Sequence, residues 1–383
     1  MKNNRTFLEK LLDGSVVEWK PLKDILIRTK GTKITAAEMK ILHKDNAPLK
    51  IFAGGKTFAL VNFEDIPEKD INKNPSIIVK SRGIIEFEYY DKPFSHKNEM
   101  WSYYSNDKNI NIKYIYYVLK NQEPYFQNLG SKMQMPQIAT PDTDKYLVPI
   151  PPLSVQTEIV RILDALTALT SELTSELTSE LTLRRKQYEY YREKLLSEEE
   201  LGKVGFKWKT LDQISENLDS KRKPITSGLR TSGKIPYYGA SGIVDYVEDY
   251  IFDGDFLLIS EDGANLLARN TPIAFSASGK IWVNNHAHIL KFETYEERRF
   301  IEFYLNKIDL TPYISGAAQP KLNKKNLNSI KFPIPSIPEQ QRIVSILDKF
   351  ETLTNSITEG LPLAIEQSQK RYEYYRELLL NFS

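Results

Sequence analysis

The sequence predicts an α+β chain that repeats itself. Two globular bodies alternate with two long helices, the helices pair as an antiparallel coiled coil, and the halves form a pseudo-two-fold internal repeat. Three observations lead there. VPIPPLSVQTEIVRILDALTAL from Val148 has a counterpart in FPIPSIPEQQRIVSILDKFETL from Phe332, and YEYYREKLL from Tyr188 has one in YEYYRELLL from Tyr372, at one constant offset of 184 residues (148 to 332, 188 to 372). No residue is gained or lost between these landmarks, as a helix demands, because an insertion would rotate everything after it. Between the shared stretches the halves differ, so each reads as a variable body followed by a constant helical arm.

The first body is assigned to residues 1–150. Its EWKPLKDI around Trp19 resembles KWKTLDQI around Trp208, and Met135-Pro136-Gln137-Ile138 lies opposite Gln319-Pro320-Lys321-Leu322. FLEKLL (7–12) is expected to pack near the C-terminal end of the second arm. The first arm, 151–200, is announced by Pro149-Ile150-Pro151-Pro152; prolines here end the preceding strand without removing a helix hydrogen bond. Ile159, Ile162, Leu166, Leu169 and Leu173 recur at 3-4-3-4 spacing, a coiled-coil seam that resumes at Tyr188, Tyr191 and Leu195. Mid-arm, residues 170–181 read TSEL three times over. Each such unit lengthens a helix by about 6 Å and turns its far end by about 40°, so the tract reads as an adjustable spacer.

The second body covers 201–335 and the second arm 336–383. The arm follows Pro333-Ile334-Pro335 and carries Ile343, Ile346, Phe350, Leu353 and Ile357, then Tyr372, Tyr375 and Leu379. Ser336 and Glu339 have capping-box spacing, and Ser154 is the candidate cap of the first arm. Gly360 and Pro362, opposite the TSEL tract, predict a break or kink. An arm of roughly 40 residues, about 60 Å, cannot bury a single apolar stripe alone. The other arm is the simplest partner, which would set the bodies at opposite ends of a rod.

Composition narrows the classes. The chain has 383 residues, 41% hydrophobic and 27% charged, and suits two or three globular domains. It has no cysteine, which removes disulfides, thiol nucleophiles and thiolate metal sites. No apolar run approaches about 18 residues, so no membrane span is expected. The charged N-terminus lacks the apolar core of a signal peptide, which makes the cytoplasm the expected compartment. The net charge of +2 hides an uneven spread: residues 1–153 and 201–335 carry +5 and +3, residues 154–200 and 336–383 carry −4 and −2. Bodies that touch phosphate and arms that touch protein would show this pattern.

Taken together, the paired PIPPL and PIPSIPEQQRIV arm starts, the YEYYRE arm ends and the tandem tract resemble the specificity (DNA-recognition) subunit of type I restriction–modification systems. The second body adds IPYYGASGIVDYV (235–247), LISEDGANL (258–266), WVNNHAHIL (282–290) and AAQPKLNKKNL (317–327), similar to stretches of that family's target-recognition domains. The resemblance covers nearly the whole chain. It implies two target-recognition domains, each reading one half of a split duplex DNA site. The arms would set the gap between half-sites and dock methyltransferase (modification) subunits, which methylate adenine with S-adenosylmethionine. Restriction subunits using ATP and Mg would join the assembly. No cofactor is expected in this chain, and no catalysis.

Reading DNA needs Lys or Arg for phosphates and Arg, Lys, Asn, Gln or Ser at base edges. In the second body the candidates are Lys221, Arg222 and Lys223; Arg230 and Lys234 in a Ser/Thr/Gly-rich loop; Tyr237 and Tyr238; and Lys321, Asn323, Lys324 and Lys325 just before the arm. In the first body Arg28, Lys30 and Lys33 occupy the place of SKRKP, and Lys132, Gln134 and Gln137 that of the second basic loop. Tyr188, Tyr191, Tyr372 and Tyr375 are assigned to partner binding.

Catalytic readings find weak footing. Gly55-Lys56-Thr57 resembles the end of a phosphate-binding loop, but Lys50 stands where the loop needs glycine. Glu38-Met39-Lys40 and Asp219-Ser220-Lys221 are acid-x-Lys triplets without a second placed carboxylate. His286 and His288 alternate along a predicted strand and could share a metal, with no third ligand in view. The remaining alternative is a coiled-coil structural adaptor that holds protein partners without sequence-specific DNA reading.

Overall fold

The computed structural model describes residues 6–131, 135–316, 319–356 and 359–382. The chain forms two compact units, one of residues 1–175 with 366–383 and the other of residues 176–365. Each unit therefore holds a body together with the start of its own arm and the far end of the other.

In the first unit β1 (Glu18–Pro21) pairs antiparallel with β9 (Leu147–Ile150), which carries the proline cluster, and Trp19 faces Pro149. Between them lie β2 (Ile27–Thr29), β3 (Leu49–Phe52), β4 (Phe58–Val61), β5 (Ser76–Lys80), β6 (Glu86–Tyr90), β7 (Phe94–His96) and β8 (Trp101–Tyr104). They form a four-stranded sheet ordered β2-β8-β5-β6 and a three-stranded sheet ordered β4-β3-β7. The helix Ile112–Asn121 buries Tyr114, Ile115, Tyr117, Val118 and Leu119 in a core shared with Ile77, Val79, Phe87 and Tyr103.

The second unit repeats the plan. β10 (Phe206–Lys209) pairs with β17 (Phe332–Pro335), and Trp208 faces Pro333. β11 (Glu216–Asn217), β12 (Ser232–Gly239), β13 (Gly242–Val247), β14 (Phe252–Ser260), β15 (Ala274–Val283) and β16 (Ala287–Lys291) make one six-stranded sheet ordered β11-β16-β14-β15-β12-β13. Its first four strands match β2-β8-β5-β6. Its β12–β13 hairpin, with β12 parallel to β15, matches the β3–β4 hairpin, with β3 parallel to β7. The sheets divide differently because β15 runs unbroken, whereas Pro93, which has no N–H to give a ladder, separates β6 from β7. The helix Tyr295–Lys307 covers this sheet as Ile112–Asn121 covers the other.

The first arm is one 43-residue helix, Leu153–Leu195, about 65 Å long. The second is two helices, Ile337–Asn355 and Leu361–Leu380. The interruption falls where Gly360 and Pro362 predict it. Gly360 has φ +91°, and a Cβ there would lie 2.6 Å from the Thr352 carbonyl oxygen; Pro362 sits in the first turn of the next helix, where its missing N–H is harmless. The helices pair antiparallel inside each unit. In the first, Thr167 donates to the Tyr372 hydroxyl (3.1 Å), while Phe382 packs on Tyr114, whose hydroxyl donates to the Pro149 carbonyl. In the second, Tyr191 stacks on Phe350, and Leu195 and Leu196 share a core with Ile343 and Leu347. Leu8 of the FLEKLL helix shares the first core with Leu379 and Leu380, as expected.

Three local expectations fail. The buried line of the first arm is Val155, Ile159 and Leu163, while Leu169 and Leu173 are exposed. Close to a sheet-backed core the helix packs along its i, i+4 ridge rather than the heptad seam. Ser336 is the N-cap by position, but its side chain makes no capping bond; Glu339 instead holds the Arg342 guanidinium. Ser154 lies inside the first turn of a helix that begins at Leu153. What fixes both helix starts is a buried amide. Gln156 donates to the carbonyls of Pro151 (2.8 Å) and Asn109 (3.0 Å) and accepts from the Asn111 N–H (2.9 Å). Its counterpart 184 residues on, Gln340, donates to the Pro335 carbonyl (3.0 Å).

Candidate nucleic-acid interface

In each unit the central strands end at one open edge of the sheet, and Lys30, Lys33 and Gln137 in the first unit and Lys221, Arg222, Lys223, Lys321 and Asn323 in the second lie on the segments beside that edge. In the second unit β14 ends at Ser260 beside the start of β16 at Ala287, and β11 ends at Asn217 on the far side of β16. The loops that follow are tied together: Leu322 N–H donates to the Glu261 carbonyl (2.8 Å), Gly263 N–H to the Pro320 carbonyl (3.1 Å), and the Lys324 ammonium to the Asn217 side chain (2.9 Å). In the first unit Ile138 N–H donates to the Ser81 carbonyl (3.0 Å) and Gly83 N–H to the Pro136 carbonyl (2.9 Å).

Beneath the second unit's loops is a buried ionic cluster. Asp219 accepts from His288 Nδ1 (2.6 Å) and the Ile289 N–H (3.0 Å), and the other ring nitrogen of His288 meets the Leu322 carbonyl (2.7 Å). Arg222 donates to Glu261 (2.8 Å), to the Ala287 carbonyl (2.6 Å) and to the Asp219 carbonyl (3.0 Å). Burial pushes the Asp219 carboxyl up, but His288 and Arg222 outweigh it and hold Asp219 below the usual range. Glu261 is lowered by the same balance, with Arg222, His288 and Lys321 against burial.

This geometry separates the predicted residues. Arg222 is a correction: only 13% of its side chain is exposed and its fork is engaged inside the protein. Tyr237 is another, 1% exposed with its hydroxyl accepting from the Ile225 N–H. Arg230 stacks on the Tyr237 ring and pairs with Asp245 (3.0 Å), which makes it a staple of its own loop. Tyr238 is half-buried against Phe275. Asn323 caps the short helix Lys324–Ser329 by accepting from the Asn326 N–H. Lys321 pairs with Glu261 (3.2 Å) yet stays half exposed, and Lys221 is exposed with Glu216 4.0 Å away. Lys223, Lys234, Lys324 and Lys325 are exposed.

In the first unit Arg28 on β2 is ion-paired with Asp144. Lys30 and Lys33 are exposed, and Gln137 is half-buried in a backbone bridge to Arg82. Lys132 and Gln134 lie outside the described residues. Of the tyrosines, Tyr188 packs against the second unit's core, and burial, with Glu351 nearby, pushes its hydroxyl up to about 12. Tyr372 is half-buried, whereas Tyr191 and Tyr375 are exposed. Each of the last two sits edge-on to its exposed neighbour, Tyr190 or Tyr374.

The catalytic readings resolve into structure. Gly55-Lys56-Thr57 is the turn between β3 and β4. Glu38 caps its own helix by accepting from the Thr35 N–H (2.7 Å). His286 pairs with Asp262 (2.9 Å) while His288 is held by Asp219, so the two rings serve different carboxylates. Among the described residues no three His, Asp or Glu side chains converge as a metal site, and no helix is long and apolar enough to cross a membrane. Sequence reasoning missed Gln156 and Gln340, although both sit at the repeat offset. It also missed Arg82, exposed on the loop after β5, for which a Ser-Arg-Gly turn gives no distinguishing signal.

Residues 16–183 and 203–367 match the model of the type I restriction modification DNA specificity domain, one match in each half. A Haemophilus influenzae protein named as a type I restriction enzyme specificity subunit is 39% identical, over 100% of both chains. The type I restriction enzyme EcoR124I/EcoR124II specificity subunit of Escherichia coli is 36% identical over 98% of this chain and 97% of its own. Among solved structures, the S subunit of a type I restriction-modification system from M. genitalium aligns with a TM-score of 0.53 at 19% identity, covering 97% of this chain and 98% of that one.

Proposed function

Because the chain belongs to the type I restriction–modification specificity subunits, whose domain recognises the DNA target, we propose that each unit reads one half of a split duplex site through the loops at its open sheet edge. The observation that carries this is the duplication of that edge: the same four strands, the same pair of tied loops and exposed cations occur twice on one fold. Lys30 and Lys33 in the first unit, and Lys221, Lys223, Lys234, Lys321, Lys324 and Lys325 in the second, supply the phosphate contacts. The exposed tyrosine pairs on the helices suit modification subunits, which bring S-adenosylmethionine. Restriction subunits with ATP and Mg join the same complex, and this chain contributes recognition without chemistry of its own.

The TSEL tract lies within the continuous helix Leu153–Leu195 and as a spacer would set the gap between the half-sites. Removing one TSEL unit shortens that helix by about 6 Å and turns it by about 40°. Methylome mapping in cells carrying the chain with its cognate modification subunits should show a bipartite motif. The deletion should change the gap and leave both half-sites intact. An altered half-site, or an unaltered gap, would defeat the spacer assignment.

A further inference from the structure

We infer that position 82 in the first unit and position 262 in the second are equivalent base-reading positions of opposite charge, with Arg82 reading a guanine and Asp262 a cytosine. This rests on the DNA reading proposed above and names residues for it.

The equivalence comes from the backbone. Gly83 and Gly263 donate to Pro136 and Pro320, Ile138 and Leu322 donate to Ser81 and Glu261, and isolated bridges join Arg82 to Gln137 and Asp262 to Lys321. Both glycines have positive φ, +74° and +108°, which holds the two turns in a form that other residues rarely adopt. The main-chain bonds that tie each turn to its neighbouring loop are thus shared.

The side chains are not. Strand register places Val79 opposite Trp101 and Ile259 opposite His288, so the residues two places before these, Glu99 and His286, face the two turns. Glu99 is ion-paired with Lys97 (2.7 Å), which leaves the Arg82 guanidinium to itself, whereas the Asp262 carboxylate is held by His286 (2.9 Å): a cation stands at one position and a carboxylate at the other. Arg82 is exposed and forms no ion pair among the described residues. It borders a notch of about 490 Å³ lined also by Glu99, Trp101, Gln137 and Asp142. Asp262 and His286 keep 30% and 51% of their side chains exposed.

A fold that needed a charge at this position would bury it against a partner, as the second unit does with Arg222 and Glu261. Here the backbone is held constant while the exposed chemistry is inverted, which serves a reader of different words. An arginine fork matches the two acceptors on the major-groove edge of guanine, and a carboxylate accepts from the cytosine amino group.

The test uses the chain with its cognate modification subunits, in wild-type form and as Arg82→Ala, Arg82→Lys and Asp262→Asn, with the methylated motif mapped for each. Both Arg82 variants should relax one G·C position in one half-site, losing on the order of 10- to 100-fold discrimination. Asp262→Asn should relax one position in the other half-site. The Arg82 variants should melt with the wild type, since that side chain is exposed, and Asp262→Asn, which loses a half-exposed pair with His286, should shift melting by no more than about 2–4 °C. The inference is overturned if Arg82→Lys keeps the wild-type motif, which would mark a phosphate contact, or if binding weakens evenly across sequences. A wild-type chain that yields no bipartite motif would overturn the underlying reading, and this inference with it.

Discussion

Arg222 offers the sharpest test of burial against surface charge. As the middle of Lys221-Arg222-Lys223 it looks like a phosphate contact, yet its guanidinium lies between Glu261, the Ala287 carbonyl and the Asp219 carbonyl. Its side chain is 13% exposed and that of Glu261 12%. Replacing it with alanine leaves a carboxylate in a largely dry site. Removing one partner of a buried pair typically costs about 3–5 kcal/mol. Lys321 remains 3.2 Å from Glu261, and His288 still holds Asp219, so the low end applies, about 3 kcal/mol. For a unit of this size that lowers the melting temperature by roughly 6–12 °C. Thermal and urea unfolding of the purified subunit measure it, and Arg222→Met with Glu261→Gln should recover much of the loss by removing the stranded charge. If Arg222→Ala instead melts with the wild type while the salt dependence of DNA binding falls by about one ion, Arg222 is a phosphate contact and the structural assignment is wrong.

Two further outcomes follow from the same kind of accounting. Gln156→Ala strands the Asn111 N–H and two carbonyls, and Gln340→Ala the Pro335 carbonyl; each should lower the unfolding free energy measured by urea titration by about 1–3 kcal/mol, with Gln156 the costlier because it makes more bonds. Equal or negligible losses would show that the amides do not hold the helix starts. Asp219 and Glu261 are both held below their ordinary values in the folded state. The stability they contribute is therefore full above their unfolded values of about 4 and disappears as pH falls through the lower folded ones. Melting followed from pH 7 down to about pH 3 should drop more steeply for the wild type than for a variant with both acids replaced by amides, and parallel curves would refute the assignment.

How far the sequence could be read depended on the range of the interaction. The arms were legible because helix period and repeat offset are local, and Gly360 and Pro362 announced the break through backbone chemistry alone. The heptad seam overreached at Leu169 and Leu173, since which stripe is buried depends on what the helix lies against, not on its own spacing. Tyr237 and Tyr238 illustrate a second limit. They occupy successive positions on β12 and so face opposite ways, but which of them is buried follows from a pairing with Trp282 and Val283 more than forty residues away. Arg222 is the same case in electrostatics: its partners lie 39 and 65 residues off, and a run of three cations gives no hint that the middle one turns inward.

These limits bear on how such a chain changes its target without losing its fold. The residues that set the architecture recur in both units: Gln156 and Gln340 each on the proline carbonyl at the helix start, Gly83 and Gly263 in the turns, and the Trp19 and Trp208 strands against their prolines. The residues at the open edges do not recur. Arg82 stands where Asp262 does and Gln137 where Lys321 does, and the backbone hydrogen bonds beneath them are unchanged. An exposed position whose main chain is fixed by glycine and by paired amides can exchange charge at little cost to stability. Such an exchange would leave the cores and helices untouched and alter only the chemistry offered at the edge, so one duplicated scaffold can carry two unlike readers.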